Sequence, residues 1–125
     1  MLKHIALSVT DSEEIENFYE EVLIFRMKHK FTLNSYLSQK IFNVNTLTDV
    51  YVLRRQDLEF EIFISLKKEK RVFSHICLSY QNPEIVYENA LKSGYKTMTK
   101  DGANHCTWFI WDKSGNMFEI KEIQD

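Results

Sequence analysis

Apolar and polar residues alternate from Lys3 to Val9. Ile5, Leu7 and Val9 fall on one face of an extended chain, and His4, Ala6 and Ser8 on the other. Period two marks a half-buried strand. The period then lengthens. Ile15, Phe18, Tyr19, Val22 and Leu23 follow at i, i+3, i+4, i+7 and i+8, the stripe of an amphipathic helix of about three turns. Asp11 and Glu14 ahead of it have the spacing of a capping box.

Strand-like runs resume at Arg26 to Leu33, Val50 to Arg55 and Leu58 to Ser65, with a short helix predicted from Tyr36 to Phe42. The first half has neither glycine nor proline, so Asn34, Asn43, Asn45 and Asp57 are expected to make its turns. The second half predicts a strand from Phe73 to Tyr80. A helix then opens at Asn82-Pro83, carries Val86, Tyr87, Ala90 and Leu91 inward, and is capped by Gly94. Further strands are predicted at Tyr95 to Thr99, His105 to Trp111 and Asn116 to Ile123, the last after the turn Asp112-Lys113-Ser114-Gly115.

The chain says the same thing twice, and internal repetition constrains architecture strongly. His4-Ile5-Ala6-Leu7-Ser8-Val9 returns as His75-Ile76-Cys77-Leu78-Ser79-Tyr80, and Glu61-Ile62 returns as Glu119-Ile120. The reading is one α+β domain over 1–125, made of two βαβββ modules, 1–66 and 72–125. Helices cover one sheet face, and the other face must curl around something.

Composition narrows the function. The net charge of −2 gives no electrostatic footprint for nucleic acid. The basic run from Lys67 to Arg71, broken by Glu69, reads as a solvated linker between modules. No apolar run approaches a membrane span, no signal peptide is visible, and two cysteines make no disulfide framework, so the expectation is cytoplasmic. Cys77 alternates with apolar residues and is expected to be a small buried side chain.

Strand parity places His4, Glu61, His75 and Glu119 on the face the helices leave open. Alone, each is an ordinary polar residue on a strand. Together they are two imidazoles and two carboxylates at equivalent places in two modules. Such a set suits a divalent ion (Zn, Ni, Co, Mn or Fe) and leaves two positions of an octahedral ion for a substrate with adjacent oxygens. Glu59 shares the face of Glu61 and is an alternative ligand. Glu119 and Glu61 are the candidate bases for moving a proton next to a carbonyl. Lesser candidates are His105 as a pocket acid or base, Arg54 or Arg55 as an anion clamp, one of Trp108 and Trp111 as a core residue, and Tyr36 with Phe42 as a lid; His29 is expected on the surface.

The segments His4 to Val9, Phe18 to Leu23, Glu61-Ile62-Phe63, His75-Ile76 and Asp112 to Ile120 together resemble the glyoxalase/bleomycin-resistance/extradiol-dioxygenase group, the vicinal oxygen chelate superfamily. The resemblance implies a cupped eight-stranded half-barrel with helices on its outer face, around one metal held by His4, Glu61, His75 and Glu119. The fourth carboxylate makes the chain most similar to glyoxalase I, a metal-dependent lyase/isomerase, or to an epimerase. A bleomycin-resistance-like binding protein and a dioxygenase are the alternatives. A small-molecule substrate is expected, and a homodimer, since edge strands need covering. The chain departs from the group at Ile24-Phe25, where Gly-Phe is usual, in lacking proline in the Asp112 turn, and in lacking the glutathione-binding residues of glyoxalase I.

Overall fold

The computed structural model describes residues 1–67, 69–102 and 106–124. His105, a candidate acid or base, lies outside them. The elements run β1 (His4–Val9), a helix (Ile15–Glu20), β2 (Arg26–Leu33), α1 (Ser35–Phe42), β3 (Thr48–Arg55) and β4 (Leu58–Ile64), then β5 (His75–Tyr80), α2 (Pro83–Lys92), β6 (Thr97–Asp101), β7 (Cys106–Trp111) and β8 (Met117–Glu122). They form two four-stranded mixed sheets, ordered β1-β4-β3-β2 and β5-β8-β7-β6. In each, the first strand pairs parallel with the last. The repeat in sequence is therefore a repeat in topology: two βαβββ modules, with α1 an addition to the first.

One core serves both modules. Phe18, Tyr19, Phe60 and Phe118 are fully buried. Their rings meet edge-on or tilted, with centroids 5.1 to 6.2 Å apart. Burying each such side chain contributes about 1.5–3 kcal/mol, so neither module keeps this core without the other. The side of each sheet carrying Phe60, Ile62, Ile110, Phe118 and Ile120 faces inward. By alternation, the faces carrying the repeated His and Glu residues turn away from that shared core.

The predicted three-turn helix is instead π-wound over Ile15–Glu20, with Glu21 N–H donating to Glu16 O and Leu23 N–H to Phe18 O. Two bulky neighbours, Phe18 and Tyr19, both enter the core. The expected capping box is absent. Asp11 Oδ1 accepts from Glu13 N–H at 2.9 Å. Glu14 is buried and turns to the second module, accepting from the Tyr95 hydroxyl and from Lys113 N–H at 2.7 Å. The asparagine turns behave as expected around α1. Asn34 Oδ1 caps Leu37 N–H at 2.8 Å, and Asn43 closes the helix at φ 59°. Gly94, at φ +81°, ends α2 with bonds from Gly94 N–H to Leu91 O and Tyr95 N–H to Ala90 O, a Schellman cap.

The Asp112 turn locks the modules together. Asp112 is buried. Its Oδ1 accepts from the N–H groups of Ser114 and Asn116, and its Oδ2 from Asn116 Nδ2 and, at 2.6 Å, from the Tyr19 hydroxyl. Asn116 Nδ2 also donates to Ser8 O across the seam, and Tyr80 donates its hydroxyl to Leu23 O.

Candidate metal centre

The register of β1 against β4 sets His4 level with Glu59, yet His4 Nε2 lies 3.6 Å from Glu61 Oε1. Glu59 is taken up elsewhere. Its Oε2 accepts from Lys28 Nζ at 2.8 Å and lies 3.9 Å from Arg54 Nη1, and the bond from Lys28 lowers its carboxyl pKa. Of the two carboxylates, Glu61 is the one beside the imidazole.

The second module repeats the pair. His75 Nε2 lies 3.5 Å from Glu119 Oε1. Its Nδ1 is 2.8 Å from Phe73 O. A carbonyl only accepts, so Nδ1 carries a proton, and in the neutral ring Nε2 presents its lone pair. Phe73 makes this geometry from a left-handed backbone (φ 61°), with Ser74 N–H bonded back to Val72 O in a three-residue γ-turn. This is the outer-shell orientation that metal-binding imidazoles use. The other oxygen of Glu119 lies 3.2 Å from Lys121 Nζ, leaving Oε1 to the histidine side.

The donor set therefore fits a divalent ion in two halves. Both histidines are half-exposed, 47% and 42% at the side chain, and both carboxylates are partly open. The structure brings His4 to Glu61 and His75 to Glu119. It does not gather the two pairs: among the described residues, no three His, Cys, Asp or Glu side chains cluster as a metal site.

Other candidates sort out by face. Cys77 is exposed rather than buried, on the His75 face, with its thiol 3.8 Å from Glu119 Oε2. Alternation with Ile76 and Leu78 was read correctly, but the cysteine belongs to the polar set of the strand. Partial burial and then the Glu119 charge push its thiol pKa up. Trp108 packs on the core, while Phe109 and Trp111 stand on the Glu119 face. His29 and Tyr36 are exposed.

A cavity of about 670 Å³ opens on the first module, and neither His4 nor Glu61 lines it. Ala6, level with Glu61, and Phe63, two residues beyond it, line the wall, and Phe42 of α1 closes against Phe63 at 5.2 Å between ring centroids. Neither Arg54 nor Arg55 reaches it. Arg54 faces Glu59, and Arg55 stacks 3.7 Å over the Tyr80 ring. The wall instead holds Lys67 and Arg71, both of which the sequence placed in a solvated linker; the Arg71 side chain is only 20% exposed and bonds to Ser8. Sequence pattern gave no signal for this, because a charge run looks the same whether one member folds back or not.

With this geometry in hand, similarity to known proteins decides the family. Residues 1–120 match the profile of the Glyoxalase/Bleomycin resistance protein/Dioxygenase superfamily. The chain belongs to that superfamily. By sequence, no functionally curated protein matches it. The fold is similar to that of a glyoxalase family protein from Enterococcus faecalis, with TM-score 0.71, 21% identity and coverage of 96% of this chain and 95% of that one. It is also similar to an E126Q mutant of the fosfomycin resistance protein FosX from Listeria monocytogenes, complexed with Mn(II) and 1S,2S-dihydroxypropylphosphonic acid; TM-score is 0.78, identity 15%, and coverage 97% and 90%. The trypanothione-dependent glyoxalase I of Leishmania major gives TM-score 0.71 at 15% identity, covering 98% and 86%. The superfamily thus includes metalloenzymes, and the match with two βαβββ modules is complete in fold. No helix among the described residues is long and apolar enough to cross a membrane.

Proposed function

We propose that this superfamily member is a divalent-metal-dependent lyase/isomerase of the glyoxalase type, moving a proton next to a chelated carbonyl. The observation that carries the proposal is the pair of half-sites: an imidazole 3.5 to 3.6 Å from a carboxylate at the same place in each module, on faces turned away from the core. Two donors are too few to hold such an ion against water. The two modules of one chain spend their common side on the core, so the open faces are available to a second copy. We infer a homodimer in which His4 and Glu61 of one chain meet the His75–Glu119 pair of the other, giving four donors.

A divalent ion bound there supplies Lewis-acid polarisation of the substrate carbonyl. The chain supplies the rest. His75 is held in one tautomer by Phe73 O. Glu119 or Glu61 takes the proton from carbon at a carboxylate oxygen and returns it to the neighbouring atom. Lys121, 3.2 Å from Glu119 Oε2, steadies the orientation of that carboxylate. Phe109 and Trp111 flank the Glu119 face and can help exclude water from the reacting atoms.

The test has two parts. Purified protein reconstituted with Mn, Ni, Co, Zn or Fe should hold about one ion per pair of half-sites and gain thermal stability. The loaded protein should then wash deuterium from solvent into carbon of a glyoxal–thiol adduct or a 2-methyl-branched thioester. Metal binding without exchange in any such compound would move the reading to a binding protein of the bleomycin-resistance kind, which the 670 Å³ cavity would also suit. No metal uptake would sink both the site and the chemistry.

A further inference from the structure

The geometry points to Arg71 as the clamp for an oxyanion at the far end of the substrate, so that the ligand is an amphipathic acid: an apolar body with a terminal carboxylate or phosphoryl group. This deepens the proposed function and rests on its reading of the first module's open face as the substrate face.

Arg71 is a charged head whose acceptors all lie at 3.4 Å or beyond. Its Nη2 donates to Ser8 O and Ser8 Oγ, both at 3.4 Å, and its Nη1 stands 3.8 Å from Glu69, whose side chain is 65% exposed. Its Nε is buried and has no hydrogen-bond partner among the described residues. A buried N–H left over in this way is costly and calls for an explanation. Guanidinium groups are suited to planar oxyanions, and Arg71 lines the cavity wall.

The surroundings agree. Lys67 is a second cation in the wall. Of the acids there, Asp49 is already engaged by Thr32 Oγ1 at 3.0 Å and Lys30 Nζ at 3.6 Å, and Glu69 extends into solvent. The rest of the lining is mostly apolar, including Phe42, Val44, Leu47 and Phe63. Distance sets the ligand's length. Arg71 is anchored at Ser8, four residues along β1 from His4, or about 13 Å at strand rise. The anion therefore sits on the Ser8 side of the His4–Glu61 pair, and an apolar chain must join the acidic tail to the reacting carbonyl.

The test uses metal-stripped protein kept in chelator, so that binding through an ion plays no part. Octanoate, octyl phosphate and the neutral octanamide are titrated and followed by NMR shifts of residues lining the cavity. The two acids should bind more tightly than the amide by ~10–100-fold, the worth of hydrogen bonds to a charged group. Comparing the two acids tells which oxyanion is preferred. Arg71→Gln should erase the preference, and Arg71→Lys should keep part of it. Equal binding of acid and amide by the wild type would overturn the proposal, as would full acid preference in folded Arg71→Gln. If Arg71→Gln fails to fold, the wild-type comparison decides. The outcome is separable from the metal reading: acid selectivity with no metal uptake leaves the clamp standing and removes the lyase, and metal uptake without acid selectivity does the reverse.

Discussion

The two modules share a topology and a His–Glu pair, but they prepare that pair differently. In the second, Phe73 O fixes His75, and Lys121 holds one oxygen of Glu119. In the first, no such bond holds His4 among the described residues, Lys28 is spent on the neighbouring Glu59, and the position matching Lys121 is Phe63, a wall of the cavity. The second module ties its pair to a carbonyl and a lysine. The first sets α1 and the linker around a cavity. On the proposed function, the neighbours of each pair divide the work between holding the ion and holding the substrate.

That division is broken most sharply at the carboxylates. Glu119→Gln keeps size and removes basicity. If Glu119 is the base, deuterium exchange should fall by ~10²–10⁴-fold, mainly in the chemical step. Glu61→Gln should then cost less. Equal losses would mean that the modules are functionally symmetric and that Lys121 does not mark the base.

The histidines give the next effect. His75→Ala and His4→Ala should each weaken metal binding in an equilibrium competition assay by more than the ~10–100-fold lost with outer-shell partners. His75→Ala should cost more, because an oriented ligand is lost. Both side chains are half-exposed, so melting of the metal-free protein should hardly change. A large loss of metal-free stability at His75 would mark it as a packing residue instead.

The seam between the modules should respond oppositely. Tyr19→Phe removes a buried bond to Asp112 and should cost about 1–3 kcal/mol in urea unfolding. Raised tyrosines give this seam a pH signature. Burial, first, and the acids beside them push the pKa values of Tyr19 and Tyr95 up, and burial raises Tyr80. Above pH ~10 the unfolded chain releases phenol protons that the folded chain keeps, so stability is full below that pH and falls as pH rises through it. A melting temperature flat from pH 8 to pH 11.5 would contradict the seam's role.

The smallest effect concerns strain. Ile24 ends the first helix at φ 63°, a conformation that costs a β-branched residue roughly 1–2 kcal/mol. Ile24 is half-exposed, so Ile24→Gly loses little packing and should stabilise the protein by under about 1 kcal/mol after the unfolded-state entropy of glycine is counted. Metal affinity should not move. Destabilisation would show that Ile24 packs against something, such as a second copy.

Strand parity and repetition alone placed His4, Glu61, His75 and Glu119 on open faces, because alternation is a local consequence of extended backbone. The same locality made β2, α1 and β4 legible to within a residue or so. Tertiary structure decided everything that depends on what lies opposite. It wound the first helix as a π-helix, drew Glu14 from its cap to Tyr95 and Lys113, and left Cys77 outside because its strand face is the open one. It also folded Arg71 back onto Ser8, a contact across 63 positions that no local pattern encodes.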